Sequence, residues 1–292
     1  MEIDGKTGVY GVIGDPISQS FSPLIHNYAF KYAGLNSVYL AFNVKAGDTL
    51  AAIDGAKALD FKGLSVAMPH KMAVIEKLDE IDPMVKKIGA INTLDFKDNK
   101  IKGYNTDSTG AVSAIKEITD LNGKNVLIVG AGGTSQAISF QLSISGVNKI
   151  EILNISVDMA KKLVNSIEKS NNNNLNLSYG GLDLIEKSVQ DADIFINATP
   201  VGMYPNINEK PIANSDIMHS DLIVQDIVYN PIKTRFIKEA EKADAKAIPG
   251  IKMLLYEALD AFKIWTGVEV PINIIEKDVN KYLRKKGTYN LL

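Results

Sequence analysis

The run Asn125-Val126-Leu127-Ile128-Val129, followed at once by Gly130-Ala131-Gly132-Gly133, constrains the fold more than any other stretch of this chain. A short, almost wholly apolar strand belongs inside a parallel sheet that helices cover on both faces. Glycines directly after it let the backbone turn tightly and bring N–H groups close to an anion. The helix expected next, over residues 134–145, aims the positive end of its dipole at the same place. Ala137, one turn in, permits close packing of that helix on the strand. A glycine cluster alone marks only a tight turn. Here a strand precedes it, a helix follows, and a second apolar run at 150–153 completes a β-α-β unit, the context in which such glycines hold a dinucleotide pyrophosphate.

The units repeat. A helix is expected over 158–169 and strands over 175–179, 193–197 and 222–226, with the asparagine run 171–174 as an exposed loop tip. The first 107 residues alternate in the same way, with strands at 8–14, 37–44 and 63–68 and two short strands at 92–96 and 101–104. Ser22-Pro23 is expected to open a helix, with Ser22 as its cap. Further helices are expected over 50–58, from Pro69 to about Leu78, and over 106–118. The chain ends in two helical segments, 250–265 and 271–282. Repeated β-α units imply an α/β protein with a parallel sheet covered on both sides.

Composition narrows the chemistry. The formal net charge is −2 and the basic residues are scattered, so no nucleic-acid or anionic-membrane partner is expected. There is no cysteine, which excludes disulfides, thiolate nucleophiles and thiolate metal sites. Three histidines make a histidine-built metal site unexpected. The first residues carry no signal-peptide pattern, and no apolar run reaches the roughly 18 residues of a membrane span. A soluble cytoplasmic protein is the expectation.

Pro69-His70-Lys71 follows a strand, and Asn92-Thr93 and Asn105-Thr106-Asp107 lie downstream. A ketone that accepts hydride needs a proton for the developing alkoxide, and an ammonium beside a carboxylate supplies it. Taken alone, Lys71 reads as a solvated surface lysine and Asp107 as an acid at a helix start. His26 and His70 read as positional rather than catalytic. At the end of the strand after the glycine turn the chain reads Asn154-Ile155-Ser156-Val157-Asp158, with no arginine to meet a ribose 2′-phosphate. Asn154 and Ser156 can hydrogen-bond either ribose, whereas Asp158 repels a phosphate if it faces one. The lean is therefore to NAD over NADP, although Asp158 is equally well explained as a first-turn helix acid.

These blocks resemble the shikimate dehydrogenase family, which includes shikimate and quinate dehydrogenases. The likeness runs through residues 14–27, Met68-Pro69-His70-Lys71, 89–94, 103–107, the glycine turn, 197–203, 226–231 and 250–267. The resemblance implies an N-terminal α/β substrate domain, residues 1–107 completed by 250–292, and a Rossmann-type doubly wound domain, 108–249. It implies an enzyme, often dimeric, that moves a hydride between NAD or NADP and the C3 position of a small ring carboxylate. Lys71 and Asp107 take the catalytic pair. Ser20 and Ser22 take the substrate carboxylate, Asn92 a ring hydroxyl, and Tyr229 the substrate border. Gly130, Ala131, Gly132 and Gly133 line the pyrophosphate, and Thr199, Met203 and Gly250 lie on the nicotinamide side.

Three positions depart from the family's commonest pattern. Ala67 stands where a threonine is usual, and Glu257 where a glutamine is usual. The arginine after the adenosine-side strand is missing. A carboxylate only accepts hydrogen bonds, whereas an amide also donates, so Ala67 and Glu257 bear on which ring is preferred: shikimate, quinate or an amino-substituted relative. A non-catalytic ligand sensor on the same scaffold is the reading from another class, and the intact Lys71/Asp107 pair argues against it. A glutamyl-tRNA reductase needs the cysteine this chain lacks. A tetrahydrofolate dehydrogenase would share the layout without the Ser20/Ser22 block.

Overall fold

The computed structural model describes residues 3–170 and 175–285, so the expected loop tip at 171–174 lies outside the described residues. The chain divides into two compact units. One holds the chain up to Thr106 and again from Leu255; the other runs from Asp107 to Leu254.

The first unit is built from β1 (Gly8–Gly14), α1 (Ser22–Ala33), β2 (Ser37–Asn43), α2 (Thr49–Ala58), β3 (Gly63–Val66), β4 (Glu80–Ile81), α3 (Pro83–Ile88), β5 (Thr93–Lys97) and β6 (Lys100–Tyr104). Its sheet runs β2-β1-β3-β5-β6-β4. The first three strands are parallel, and β5 turns antiparallel to β3. One row of lateral partners crosses the sheet as Tyr39, Tyr10, Gly63 and Asp95, so these four share a face. Gly63 leaves room on that face for the Trp265 indole, which a Cβ at 63 would strike. The indole Nε1 donates to the Leu94 carbonyl at 2.9 Å. Tyr10, Phe30 and Phe262 extend the aromatic layer, with centroids about 5 Å apart.

Two expectations change here. The helix expected from Pro69 to Leu78 is only a 3₁₀ turn, Ala73–Lys77. The Lys71 carbonyl accepts from the Ile91 N–H at 2.9 Å instead of serving a helix. Ser22 does not cap α1 but is its first residue. The Ser22 N–H instead donates to the Ser20 hydroxyl at 3.2 Å.

The second unit holds α4 (Thr106–Lys116) from Asp107 on, β7 (Asn125–Val129), α5 (Gly133–Ser143), β8 (Lys149–Leu153), α6 (Val157–Ser170), β9 (Asn176–Gly180), α7 (Ile185–Gln190), β10 (Ile194–Asn197), β11 (Ile223–Asp226), α8 (Arg235–Lys242), β12 (Lys246–Ile248) and the start of α9 (Gly250–Thr266). The rest of α9 and α10 (Ile272–Lys285) belong to the first unit, where α10 packs on α1. All six strands of the second sheet are parallel, in the order β12-β11-β10-β7-β8-β9. The chain starts in the middle, winds outward, returns to β10 beside β7 and winds the other way. That is the doubly wound order, and it leaves a crevice at the carboxyl ends of β7 and β10. Leu127, Val129, Phe195, Val224 and Phe236 pack one core of this unit.

A buried polar node lies at the ends of β10 and β11. Asp226 is fully buried and accepts from the Thr234 hydroxyl at 2.6 Å, the Asn197 amide at 2.9 Å and the Val228 N–H at 3.0 Å. Loss of water outweighs these three donors and pushes its carboxyl up to about 6. Between its ordinary value of 3.8 and about 6, the folded chain keeps a proton that the unfolded chain releases. Stability from this group therefore falls as pH rises through that window and is level above it.

Two outcomes follow. Gly63→Ala should cost about 1–3 kcal/mol by overpacking the indole. In a double-mutant cycle with Trp265→Phe the cost should shrink, because the smaller ring leaves room; an unchanged cost would place the strain elsewhere. Urea melts of wild type and Asp226→Asn should diverge across pH 4–6, with the wild type losing up to roughly 3 kcal/mol relative to the variant as pH rises. Parallel curves would show that the carboxyl is already ionised at the lower end.

Candidate functional site

In the first unit β1 and β3 are parallel, so the segments that leave them open at one sheet edge. Two hydrogen bonds tie these segments together: Ala67 N–H to the Ile13 carbonyl at 2.8 Å, and Asp15 N–H to the Met68 carbonyl at 3.1 Å. Half-buried Ser20 and Ser22 lie on the segment after β1, and half-buried Ala67 and Lys71 on the segment after β3. Met68 and Met72, on either side of the Pro69-His70-Lys71 turn, are exposed.

Asn92, almost fully buried, organises this edge. Its carboxamide oxygen accepts from the Thr106 N–H at 2.8 Å and the Thr93 hydroxyl at 2.9 Å. Its amide nitrogen donates to the Thr106 hydroxyl at 3.0 Å and to Glu257 Oε1 at 3.2 Å. Sequence reading expected Asn92 and Glu257 at the same site, and the structure joins them directly. Asp107 is the next residue after Thr106, 2% exposed, in the first turn of α4, where the helix dipole favours an anion. By the division of the chain it opens the second unit.

In the second unit the glycine turn lies at the crevice between β7 and β10. Gly130 has φ +115°, and a Cβ there would press on the Ala198 carbonyl at 2.7 Å, so this position requires glycine. Its carbonyl accepts from the Ser135 hydroxyl at 2.7 Å, which holds the turn shut. At Gly132 a Cβ would meet nothing within 4 Å. Gly132 precedes α5, Gly133 opens it, and no side chain caps its first turn. Open space in front of uncapped helix N–H groups is the setting a pyrophosphate fits. The residues present therefore suit a dinucleotide.

Beside this turn, Thr199 is held by Asn197, whose side-chain oxygen accepts from the Thr199 N–H at 3.0 Å and its hydroxyl at 2.6 Å. Since Asn197 also donates to Asp226, the buried node sets the loop after β10. Sequence reading placed Asn197 and Asp226 only within resembling blocks. Their signal was a polar residue ending each of two apolar strands. Met203 is partly exposed and Tyr229 half-buried in the same unit. Gly250 opens α9 against the Val228 carbonyl, which a Cβ would strike, so close packing accounts for this glycine by itself. After β8, the Asn154 amide donates to the Ser156 carbonyl at 3.0 Å and thus braces its own turn. Ile155 is 87% exposed, and Asp158 is an exposed acid in the first turn of α6.

Among the described residues no helix is long and apolar enough to cross a membrane.

Comparison with known proteins bears on both units. Residues 12–94 match the model of the shikimate dehydrogenase substrate binding domain, and residues 113–235 that of shikimate / quinate 5-dehydrogenase. A relative named shikimate dehydrogenase (NADP(+)), from Methanobrevibacter smithii, is 46% identical over 96% of this chain and 99% of its own. A shikimate dehydrogenase solved with NADP+ superposes with a TM-score of 0.90 at 44% identity, covering 96% of this chain and 97% of that one. The shikimate 5-dehydrogenase of Listeria monocytogenes, solved with shikimate and NAD, gives 0.87 at 35% identity over 95% and 98%. On this likeness across nearly its whole length, the chain belongs to the shikimate dehydrogenase family.

Proposed function

We propose that this chain is an enzyme that transfers a hydride between a nicotinamide dinucleotide and the C3 position of shikimate/3-dehydroshikimate. The observation that carries the reading is 46% identity to a named shikimate dehydrogenase in a chain whose second unit has a glycine turn at the sheet crossover and whose first unit has half-buried Lys71 at the edge that Asn92 organises. The same reading makes it a cytoplasmic protein that forms a homodimer, with the division near residues 107 and 250 as its domain boundary.

When bound, the dinucleotide takes up or supplies the hydride. Gly130 to Gly133 and the first turn of α5 hold its pyrophosphate, and Thr199, Met203 and Gly250 border its nicotinamide half. Ser20 and Ser22 hold the ring carboxylate by their hydroxyls. Tyr229 borders the ring. Lys71 holds the moving proton at Nζ: it takes it from the ring hydroxyl in oxidation and returns it to the ketone oxygen in reduction. As an ammonium it also stabilises the charge that develops on that oxygen. Asp107, the other member of the pair, accepts from a neighbouring ring hydroxyl, the one assigned to Asn92, and so orients the ring.

On the dinucleotide, the lean to NAD is withdrawn. It rested on the missing arginine and on Asp158, which the helix dipole accounts for equally well. Two of the likenesses above carry NADP in their names and one carries NAD. We therefore favour NADP, with Asn154 and Ser156 beside the adenosine ribose.

Glu257 favours a second reading within the same reaction class. Both hydrogens of the Asn92 amide meet protein acceptors, one of them Glu257. A carboxylate at 257 only accepts, whereas the family's usual glutamine also donates. A ring with an added hydroxyl or an amine suits it, and quinate has that extra hydroxyl. Ala67 removes a hydroxyl from the same edge.

Initial rates with shikimate and quinate against NADP and NAD test the reading directly. Shikimate with NADP should give the highest kcat/KM, and no rate with either ring would overturn it. Lys71→Ala should lower kcat about a hundredfold or more with a smaller change in KM; near wild-type turnover would remove Lys71 from the mechanism. Glu257→Gln should shift the quinate-to-shikimate ratio of kcat/KM toward shikimate by about tenfold. An unmoved ratio would leave Glu257 without a part in specificity.

A further inference from the structure

Gln225 lies in β11, which has β10 on one side and β12 on the other. An inner strand of a parallel sheet is covered on both faces and reads as an apolar run. Ile223 and Val224 fit that rule. Gln225 breaks it, with a side chain that is 0% exposed. Its Nε2 donates to the Ala111 carbonyl in α4 at 3.1 Å, across 114 positions of the chain. A carbonyl only accepts, so the orientation of the amide is settled. The other end of the amide, Oε1, is buried and meets no partner among the described residues. An apolar side chain of similar length would fill the same space with no polar atom to satisfy. What sets glutamine apart at this position is therefore its bond to α4.

That bond acts where packing on α4 is weakest. The larger buried side chains of the helix, Val112 and Ile115, come after Ala111. Before it the buried positions that follow Asp107 are Ser108 and Gly110. Small side chains interdigitate little with their neighbours, so they resist sliding and rotation poorly. At the far end, Glu117 just past α4 pairs with Lys252 at 3.1 Å, about three turns from Asp107. Asp107 and Ala111 are four residues apart, so they stand one above the other on the same face of the helix. A shift of the backbone at Ala111 therefore reaches Asp107. The next residue in β11, Asp226, points to the opposite face of the sheet and holds Asn197. The end of one strand thus fixes two segments, the Thr199 loop through Asp226 and α4 through Gln225.

We propose that Gln225 is a positioning residue for Asp107: its amide fixes α4 on the sheet one turn after Asp107, and the carboxylate that orients the ring is held in place through the backbone of that turn. The bond gives the helix a register that its small buried residues do not supply. This inference rests on the proposed role of Asp107, and its test separates the two.

Gln225→Met keeps the length of the side chain and removes the donor. The first arm needs no activity. In the full-length protein, backbone amide exchange over residues 107–116 should speed up about tenfold in the variant, while exchange in β7 and β8 stays as in wild type. Because the variant also removes the buried Oε1, Tm should hold or rise. Unchanged exchange in α4 would show that the bond does not hold the helix, and a fall in Tm with faster exchange throughout would mark a tie for stability alone; either result overturns the proposal. The second arm is kinetic. With shikimate and NADP, Gln225→Met should lower kcat about tenfold, while the KM for NADP changes less than twofold. In an Asp107→Ala background, followed by single turnovers at excess enzyme, the same substitution should lower the rate less than twofold, because the group it positions is gone. Losses that multiply in the double variant would show that Gln225 acts on some other group, and the proposal would fail. A wild-type protein inactive on both rings, whose α4 loosens in Gln225→Met as expected, would overturn the functional reading and leave the Gln225 anchor standing.

Discussion

The Asn92 carboxamide is the interaction on which the open edge of the first unit depends. It joins the start of β5 to the end of β6 by accepting from the Thr106 backbone, and it reaches α9 by donating to Glu257. A buried amide has two donors and an acceptor with two lone pairs, and leaving any of them unmet costs about 1–3 kcal/mol. Thr93, Thr106 and Glu257 meet them. Since Asp107 follows Thr106 directly, the geometry of one amide sets where α4 begins. A substitution at Asn92 would disturb the sheet edge, the helix start and the Glu257 side chain together.

The two units solve one problem with different backbones. In both, parallel strands send their connections to one edge, where side chains and N–H groups can converge. The second unit does so with six parallel strands and a crossover in strand order, which leaves a backbone-lined crevice suited to phosphates. The first mixes parallel and antiparallel strands, and its edge is lined by side chains such as Ser20, Lys71 and Asn92.

The sequence was most legible where one local rule acted alone. β7 begins and ends where its apolar run does, because five residues and a glycine turn leave the chain no alternative. The helix expected at 158–169 gains a single residue at each end. Legibility failed where distant partners decide. The turn after Pro69 carries a helix-like pattern, yet Ile91 claims its carbonyl and the helix does not form. Helix α8 is only eight residues long; Thr234 caps it, and Phe236, Ile237 and Ala240 face inward, a signal too short to stand out. The contact between Asn92 and Glu257 spans 165 positions and that between Trp265 and Leu94 spans 171, beyond any periodicity. The candidate residues themselves were legible as blocks. Their hydrogen-bond partners, above all the node of Asn197, Asp226 and Thr234, were not.

Trp265 is the single tryptophan of the chain, and its indole lies over Gly63 against Tyr10, with ring centroids 5.3 Å apart. An emitter so placed reports on one half of the molecule only. Red-edge fluorescence follows the opening of the aromatic layer beneath it and is silent on the doubly wound sheet, whereas far-ultraviolet dichroism sums both. The two signals, recorded on one sample, separate the melting of the first unit from that of the second without any label.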